Sequence, residues 1–205
     1  MESPAEEIGL FPLGIALVPG EQLALHIFEP RYRELIGECL DTSRPFGFIY
    51  QHEGRLCPVG TRATVIDVLR RYDDGRLDIM VRGRERFRLV ELTSGRSFIT
   101  ATVTDLEDTP EAPTAEELAA CREAWRQAAL AGDSGEPDRD AFGMAALLDL
   151  PAPLKQELLE LRSERARVLR LTRELAGDLG AELRANEIGR RAAANGKVVP
   201  GKVTG

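Results

Sequence analysis

The sequence predicts an α+β chain: an antiparallel, closed or nearly closed β-barrel followed by a bundle of helices. Three observations predict it. Up to about Asp108, apolar and polar residues alternate with period two. Asp73-Asp74-Gly75 separates two such runs, and Asp-Gly so flanked is a strong hairpin signal. From about Thr114 onward, apolar residues recur at helical spacing instead.

In chain order, "QLALHIF" reads as a strand and "PRYRELIGECL" as the helix it runs into. Pro30 suits the first helical position, where its missing N–H costs nothing. Glu29 favours the positive helix end, and Tyr32, Leu35, Ile36, Cys39 and Leu40 share the face expected to meet the barrel. "TRATVIDVLRRY" and "RLDIMVRGRERFRLV" are the two arms of the hairpin. In the second arm Leu77, Ile79, Val81, Phe87 and Leu89 point one way, while Asp78, Met80, Arg82, Arg84, Arg86 and Arg88 point the other. Gly83 marks a bulge or sharp bend in this long strand. "SFITATVTDL" alternates Ile99, Ala101 and Val103 with Thr100, Thr102 and Thr104. Apolar-in, polar-out strands of this kind suit a barrel better than an open parallel sheet.

"EDTPEAPTAEE" is a linker of proline and acidic residues, ending in Thr114 with Glu117 three residues on, a capping box. "TAEELAACREAWRQAALAG" is an amphipathic helix carrying the only tryptophan, Trp125, and "GDSGEPDRD" is a loop. "AFGMAALLDL" is a short helix stopped by Pro151 and Pro153. "PLKQELLEL" and "SERARVLRLTRELAGDLGAELRANEIG" complete the bundle, with Ser163 capping the second. Leu169, Leu175, Leu179 and Leu183 lie on the apolar stripe of that long last helix. The expected organisation is residues 1–110 as a barrel unit with one helix near 30–41, residues 111–190 as a helical unit, and residues 191–205 as a flexible tail.

Composition narrows the function. The formal net charge of -7 disfavours a general nucleic-acid binder, which carries a basic excess. No apolar run approaches the ~20 residues of a membrane span, and "MESPAEEIGL" lacks the basic and apolar regions of a secretory signal, so the chain reads as cytoplasmic. Cys39, Cys57 and Cys121 lack CxxC spacing and read as packed thiols, neither a zinc site nor a disulfide framework. With only His26 and His52 as histidines, no metal, cofactor or catalytic constellation is expected.

The stretches "LFPLGIALVPGEQLALHIFEPRYRELI", "FGFIY", "VGTRATVIDV", "DGRLDIMVRGRERFRLVEL" and "ALLDLPAPLKQELLEL", in that order, resemble the Lon protease N-terminal (substrate-binding) domain family from about Ile8 to Gly189. The resemblance implies a PUA-like β pseudo-barrel followed by a helical bundle ending in a long helix. It also implies recognition of unfolded or damaged polypeptide without cleavage, a contribution to oligomer assembly, and protein quality control as the setting. Intact Lon and a second copy of the chain enter as partners on the same ground. Full-length members need a P-loop ATPase and a Ser-Lys dyad. No GxxxxGK[ST] occurs here; the nearest stretch, "ANGKVV", lacks both the leading glycine and the final hydroxyl residue. The expectation is a stand-alone, non-catalytic module.

Two sets of residues are candidates for contact. His26, Phe28, Arg31, Tyr32, Phe46 and Phe48 are the candidates to rim a groove for extended hydrophobic peptide, which a barrel edge would add as an extra strand. Arg82, Arg84, Arg86 and Arg88 form the alternative, an anionic-ligand face suited to a phosphate backbone or an acidic peptide. The plainer reading of these arginines is a solvated strand face paired with neighbouring acids such as Asp67 or Glu91. His26 at a strand end has no nucleophile near it in sequence, which favours a structural role over acid–base chemistry.

Overall fold

The computed structural model describes residues 5–129 and 140–195, with side chains through residue 190. The loop expected in "GDSGEPDRD" and the tail from residue 196 fall outside the described residues, apart from Asp140. The strands are β1 (Glu6–Leu13), β2 (Gln22–Ile27), β3 (Phe46–His52), β4 (Arg55–Leu56), β5 (Val59–Arg71), β6 (Leu77–Thr93) and β7 (Thr100–Asp105). The helices are α1 (Pro30–Thr42), α2 (Ala115–Ala129), α3 (Ala141–Ala145), α4 (Ala152–Glu160), α5 (Glu164–Ala176) and α6 (Asp178–Asn195).

Five strands close a ring, β1–β7–β6–β5–β3 and back to β1. A ring with an odd number of strands cannot alternate direction at every step, and the parallel pair is β1 with β3, Leu10 opposite Gly47 through Leu13 opposite Tyr50. The hairpin turns at Gly75, whose positive φ of 85° needs no Cβ, and Gly75 N–H donates to the Tyr72 carbonyl at 2.9 Å. At 17 residues β6 outruns the ring. Its first part, Leu77–Arg82, pairs with β2 on one side, and its last part, Phe87–Thr93, pairs with β7.

The strand changes partners near Gly83, where the isolated glycine predicts a bulge or sharp bend. Between the pairs Thr61–Arg86 and Ala63–Gly83, β6 takes one step more than β5. Gly83 exchanges backbone hydrogen bonds with the segment leading into β2: Gly83 N–H to Glu21 O at 2.9 Å, and Gly20 N–H to Gly83 O at 3.0 Å. A Cβ at Gly83 would lie 2.3 Å from the Val18 carbonyl oxygen.

Helix α1 buries Tyr32, Leu35, Ile36 and Cys39 against the barrel, with Leu40 partly covered. Phe11, Phe46, Phe48, Ile79 and Val81 pack with α1 in one cluster, and Leu10, Ile49, Phe87 and Val103 form a second. Leu10 and Ile49 alternate with Phe11 and Phe48 along β1 and β3, so this second cluster lies on the opposite face of those strands. A third cluster joins Ala16, Val18, Tyr50, Val59 and Leu106 to Trp125, Phe142, Met144, Leu158, Val168 and Leu171, so one core runs from the strands into the helices. Thr114 and Glu117 form the capping box, and Ser163 Oγ accepts from Ala166 N–H at 3.2 Å.

Two expectations are corrected. The run from Ser163 to Gly189 is two helices, because the chain breaks at Gly177. A Cβ at Gly180 would lie 1.8 Å from the Leu175 carbonyl oxygen, so the small residues at this corner let α6 fold back over the end of α5. Leu169 faces out, 44% exposed, because α5 buries the face of Val168, Leu171 and Leu175, and Leu183 of α6 stays buried. Residues 191–195 continue α6, although the sequence places the tail there.

The second correction concerns Arg86, which is 6% exposed and not part of a solvated stripe. The helical layer docks on the outer face of β6 at this point, so the polar side of the strand is not its solvent side. Arg86 donates to the carbonyls of Leu159 and Leu161, each at 2.7 Å, and to the carboxylate of Asp108. Arg167 of α5, 2% exposed, grips the same carboxylate and the Leu161 carbonyl at 3.1 Å. Both guanidiniums lie over the Phe142 ring, at 5.4 and 4.5 Å. Burial alone raises the Asp108 carboxyl, but the hydrogen bond from Arg167 and the charge of Arg86 outweigh it and hold it below the usual aspartate range.

Asp108→Ala leaves buried Arg86 with no carboxylate and Arg167 with Glu164 alone, and we expect a loss of about 3 kcal/mol by chemical denaturation, the low end for a broken buried pair because Asp108 itself is partly exposed. Since the folded-state pKa lies below the unfolded one, the wild-type contribution is complete above the unfolded pKa and is lost as pH falls through the folded value. The variant's stability should be flatter across that acidic window. Gly83→Ala should cost at least about 1 kcal/mol in the same assay, because its methyl collides with backbone at Val18.

Candidate functional site

Where β6 runs past the ring it carries β2 and β5 with it as a three-stranded flap, Gln22 opposite Arg82 through Ile27 opposite Leu77. Among the described residues β2 pairs with β6 alone, so one edge of β2 is free. Its sequence, QLALHI, contains no proline and no Lys, Arg, Asp or Glu. Free edges are ordinarily blunted by charge, proline or bulges. The outer part of β5 follows that rule: its ladder slips between Val65 and Asp67 and again between Val68 and Arg70, and it ends in Arg70-Arg71. The β2 edge is unguarded.

Two depressions lie near the two ends of β2. One, of about 520 Å³, is lined by Ala24, Leu25, His26, Leu69, Arg70 and Asp78. Phe28, directly after β2, stands 59% exposed beside it, and Leu69 is 51% exposed within it. The Phe28 ring stacks on His26 at 5.9 Å. His26 Nδ1 lies 2.5 Å from Asp78 Oδ1, and Tyr72 Oη donates to Asp78 Oδ2 at 2.8 Å. The His26 and Tyr72 bonds hold the Asp78 carboxyl below its usual range, while accepting the phenol's hydrogen bond pushes Tyr72 up. Arg70 and Arg76 lie over the Tyr72 ring at 4.5 and 4.9 Å. His26 is thus held in place by Asp78, as a structural strand-end histidine should be.

The second depression, about 540 Å³, lies at the other end of β2 between Pro19, Gly20, Arg82, Gly83, Arg84 and the Arg86–Asp108 joint. Arg84 Nε donates to Thr64 Oγ1 at 3.0 Å, which draws Arg84 toward β5. Arg82 Nε is buried and has no hydrogen-bond acceptor among the described residues. A buried donor without a partner costs about 1–3 kcal/mol.

The structure separates the candidates. Phe46 and Phe48 are 0% and 1% exposed, packed on Phe11 at 5.8 and 6.2 Å in the core cluster under α1, so they cannot rim a groove. Their strand β3 pairs with β1 and β5 in the ring, and both of its faces are covered over Phe46–Tyr50. Tyr32, 8% exposed, packs on Phe11 at 4.3 Å under the Arg31 guanidinium, and Arg31 itself pairs with Glu29. His26 and Phe28 remain at the free edge. The ladder of four arginines does not form: Arg86 is in the joint, and Arg82 and Arg84 line the second depression. Arg88, opposite Val59, is exposed farther along the strand. Neither Asp67 nor Glu91 pairs with the stripe; Asp108 and Thr64 supply the partners instead. Tyr72 and Asp78 are missed by the sequence reading, for only the β2–β6 register places Asp78 opposite His26.

For bond-making chemistry the cluster offers little. Burial raises all three thiols, Cys39 to about 11, so none is poised as a thiolate. No group of three or more His, Cys, Asp or Glu side chains able to hold a metal occurs among the described residues.

Residues 7–177 match the ATP-dependent protease La (LON) substrate-binding domain family. The chain belongs to that family. It is 27% identical over 209 residues to the Lon protease of Paraburkholderia phytofirmans, covering 91% of this chain and 26% of that protein. It is 29% identical over 150 residues to the Lon protease of Parabacteroides distasonis, covering 68% and 18%. The chain therefore spans about a quarter or less of the length of these curated relatives. A solved structure of a Lon N-terminal domain protein from Xanthomonas campestris superposes with a TM-score of 0.65 at 25% identity, covering 81% of this chain and 96% of that one. The N-terminal domain of a Mycobacterium avium complex Lon protease, at 19% identity, shares the fold with a TM-score of 0.62 over 85% and 100%. The pseudo-barrel and helical bundle of this Lon-family chain are those of its solved neighbours. No described helix is long and apolar enough to cross a membrane.

Asp78→Asn removes the charge to which Tyr72 and His26 are tied. In an ultraviolet difference titration, with Tyr72→Phe identifying the signal, the Tyr72 phenol should ionise at lower pH in the variant than in the wild type.

Proposed function

We propose that this Lon-family chain is a non-catalytic recognition module that captures extended, unfolded polypeptide by strand addition to β2. The observation that carries it is the unguarded β2 edge with Phe28 exposed at its end and Leu69 exposed on the same flap, across β6 on β5. Main-chain hydrogen bonds to an edge are blind to side chains, which suits a reader of unfolded chains, and the shallow apolar depression adds affinity without demanding a motif. A net of about 1 kcal/mol per edge hydrogen bond keeps such binding weak and transient, with a Kd of roughly 0.01–1 mM.

In this role the protein holds clients in a chaperone-like manner, or delivers them as an adaptor to an intact Lon protease, and the matched family supports that setting. A cytoplasmic location follows from the same reading, and a second copy competes for the same edge at high concentration. The disrupted arginine ladder and the acidic balance of the chain support polypeptide over a nucleic-acid backbone as ligand.

The test uses a permanently unfolded client such as a reduced, carboxymethylated protein. The purified chain should slow aggregation of a denatured partner, and amides of Gln22–Ile27 should gain protection from hydrogen exchange on adding the client. A short extended peptide methylated on alternate backbone nitrogens, with its side chains unchanged, should lose binding at least about ten-fold relative to the unmethylated peptide. Equal binding of the two peptides, or protection confined to other elements, would show that the edge is not the site.

A further inference from the structure

We infer that the client segment taken up by β2 is read for one chemical feature, a carboxylate, by Arg82 at the Gln22 end of the edge. The inference rests on strand capture at β2 and deepens it. Arg82 is the register partner of Gln22 on β2 and of Thr64 on β5, and it shares its depression with Pro19 and Gly20, the residues that lead into β2. No ion pair or hydrogen bond engages Arg82 among the described residues, and its Nε is buried without an acceptor.

The other arginines of the strand are committed elsewhere or lie apart. Arg86 is held by Asp108 and the carbonyls of Leu159 and Leu161, Arg84 leans to Thr64, and Arg88 lies beyond the bulge. Glu85 and Asp108 are the acids lining the depression; Asp108 is neutralised by Arg86 and Arg167, which leaves Arg82 and Arg84 against Glu85. The site retains a cationic excess in a protein of net charge -7.

The geometry allows the contact. A strand added beside β2 lies two strand spacings, ~9.6 Å, from β6, a gap that an extended arginine and an extended glutamate span together. The edge is therefore polarised. Its Gln22 end offers an unpartnered guanidinium, while its His26 end offers Phe28, Leu69 and an Asp78 already satisfied by His26 and Tyr72. From Gln22 to His26 is four residues, ~13 Å along the strand. The class of client that fits is an extended segment with an aromatic or aliphatic side chain and a carboxylate about four residues apart. That carboxylate is either an Asp or Glu side chain or the free C-terminus of a chain.

The experiment measures binding of fluorescent, amidated octapeptides to the whole chain by anisotropy at low salt. One pair carries Glu four residues after a Phe, or Gln in its place; a second pair carries Glu or Gln four residues before the Phe. A fifth peptide is the first Gln peptide with a free C-terminal carboxylate. One of the two Glu peptides should bind about five-fold more tightly than its Gln counterpart, an advantage that shrinks as salt rises. The advantage should disappear in Arg82→Gln and persist in Arg88→Gln, with unchanged thermal melts showing that both variants fold. The same gain for the fifth peptide identifies the chain terminus as a source of the carboxylate, and its absence assigns the role to side chains. Glu and Gln peptides that bind the wild type equally, or an advantage that survives Arg82→Gln, overturn the inference while strand capture stands. If no peptide binds, strand capture itself fails and the inference falls with it.

Discussion

The joint around Asp108 is the contact on which the arrangement of this molecule depends. It gathers a strand, the linker and three helices at one carboxylate. Arg86 comes from β6, Asp108 from the linker, Arg167 and Glu164 from α5, and Phe142 from α3, while the last carbonyls of α4 accept from both guanidiniums. Placing cations at the C-terminal end of α4 satisfies carbonyls that the helix leaves open and complements its dipole. Two arginines this deeply buried are tolerable because the Asp108 carboxylate and several carbonyls are shared between them and Glu164 adds a second carboxylate to Arg167.

That joint also decides what is left uncovered. By docking the helices on β6 at Arg86, it directs the helical layer toward one end of the strand. The other end, Leu77–Arg82, extends past the ring with β2 and the tip of β5. β7, only six residues long, pairs with β6 no earlier than Phe87 and leaves the neighbouring position to β2. The exposed edge is thus a consequence of strand lengths: one strand of 17 residues serves partners of six on the same side, and the one added outside the ring has no neighbour beyond it. Gly83 makes the exchange possible, because only a residue without a side chain admits the Val18 carbonyl so closely.

Local features were legible in the sequence wherever the physics is local. Asp73-Asp74-Gly75 gives the hairpin, Thr114 with Glu117 and Ser163 give caps, Pro30 opens α1, and alternation separates Ile79 and Val81 from Asp78 and Met80. What alternation cannot report is which outward face a second layer will cover. Arg86 shares number parity with Arg82 and Arg84, but the extra residue of the bulge puts it opposite Thr61 while Arg82 is opposite Thr64, so the stripe changes face before Arg86. Phe46 and Phe48 fail as contact residues for the converse reason. "FGFIY" is apolar on both faces because β3 is enclosed by the ring on one side and covered on the other, which no short window reveals. His26 and Phe28 were picked out by their position at the strand–helix junction, but the free edge beside them is a property of pairing, and Asp78 reaches His26 from 52 residues away.

Recognition through a strand edge and recognition through charge pull in different directions, and their combination sets what this site can select. Edge hydrogen bonds accept almost any extended segment but not a folded one, whose amides are already paired; that distinction alone separates unfolded clients from native proteins. A single guanidinium at one end adds a modest, salt-sensitive preference, too small to exclude other segments and large enough to bias where along a chain capture begins. Asp78 could not supply the same bias at the opposite end, because His26 and Tyr72 already occupy its oxygens. The asymmetry is therefore built into two pairs near opposite ends of the β2–β6 ladder: His26 meets an acid that satisfies it, and Gln22 meets a base whose Nε nothing satisfies among the described residues.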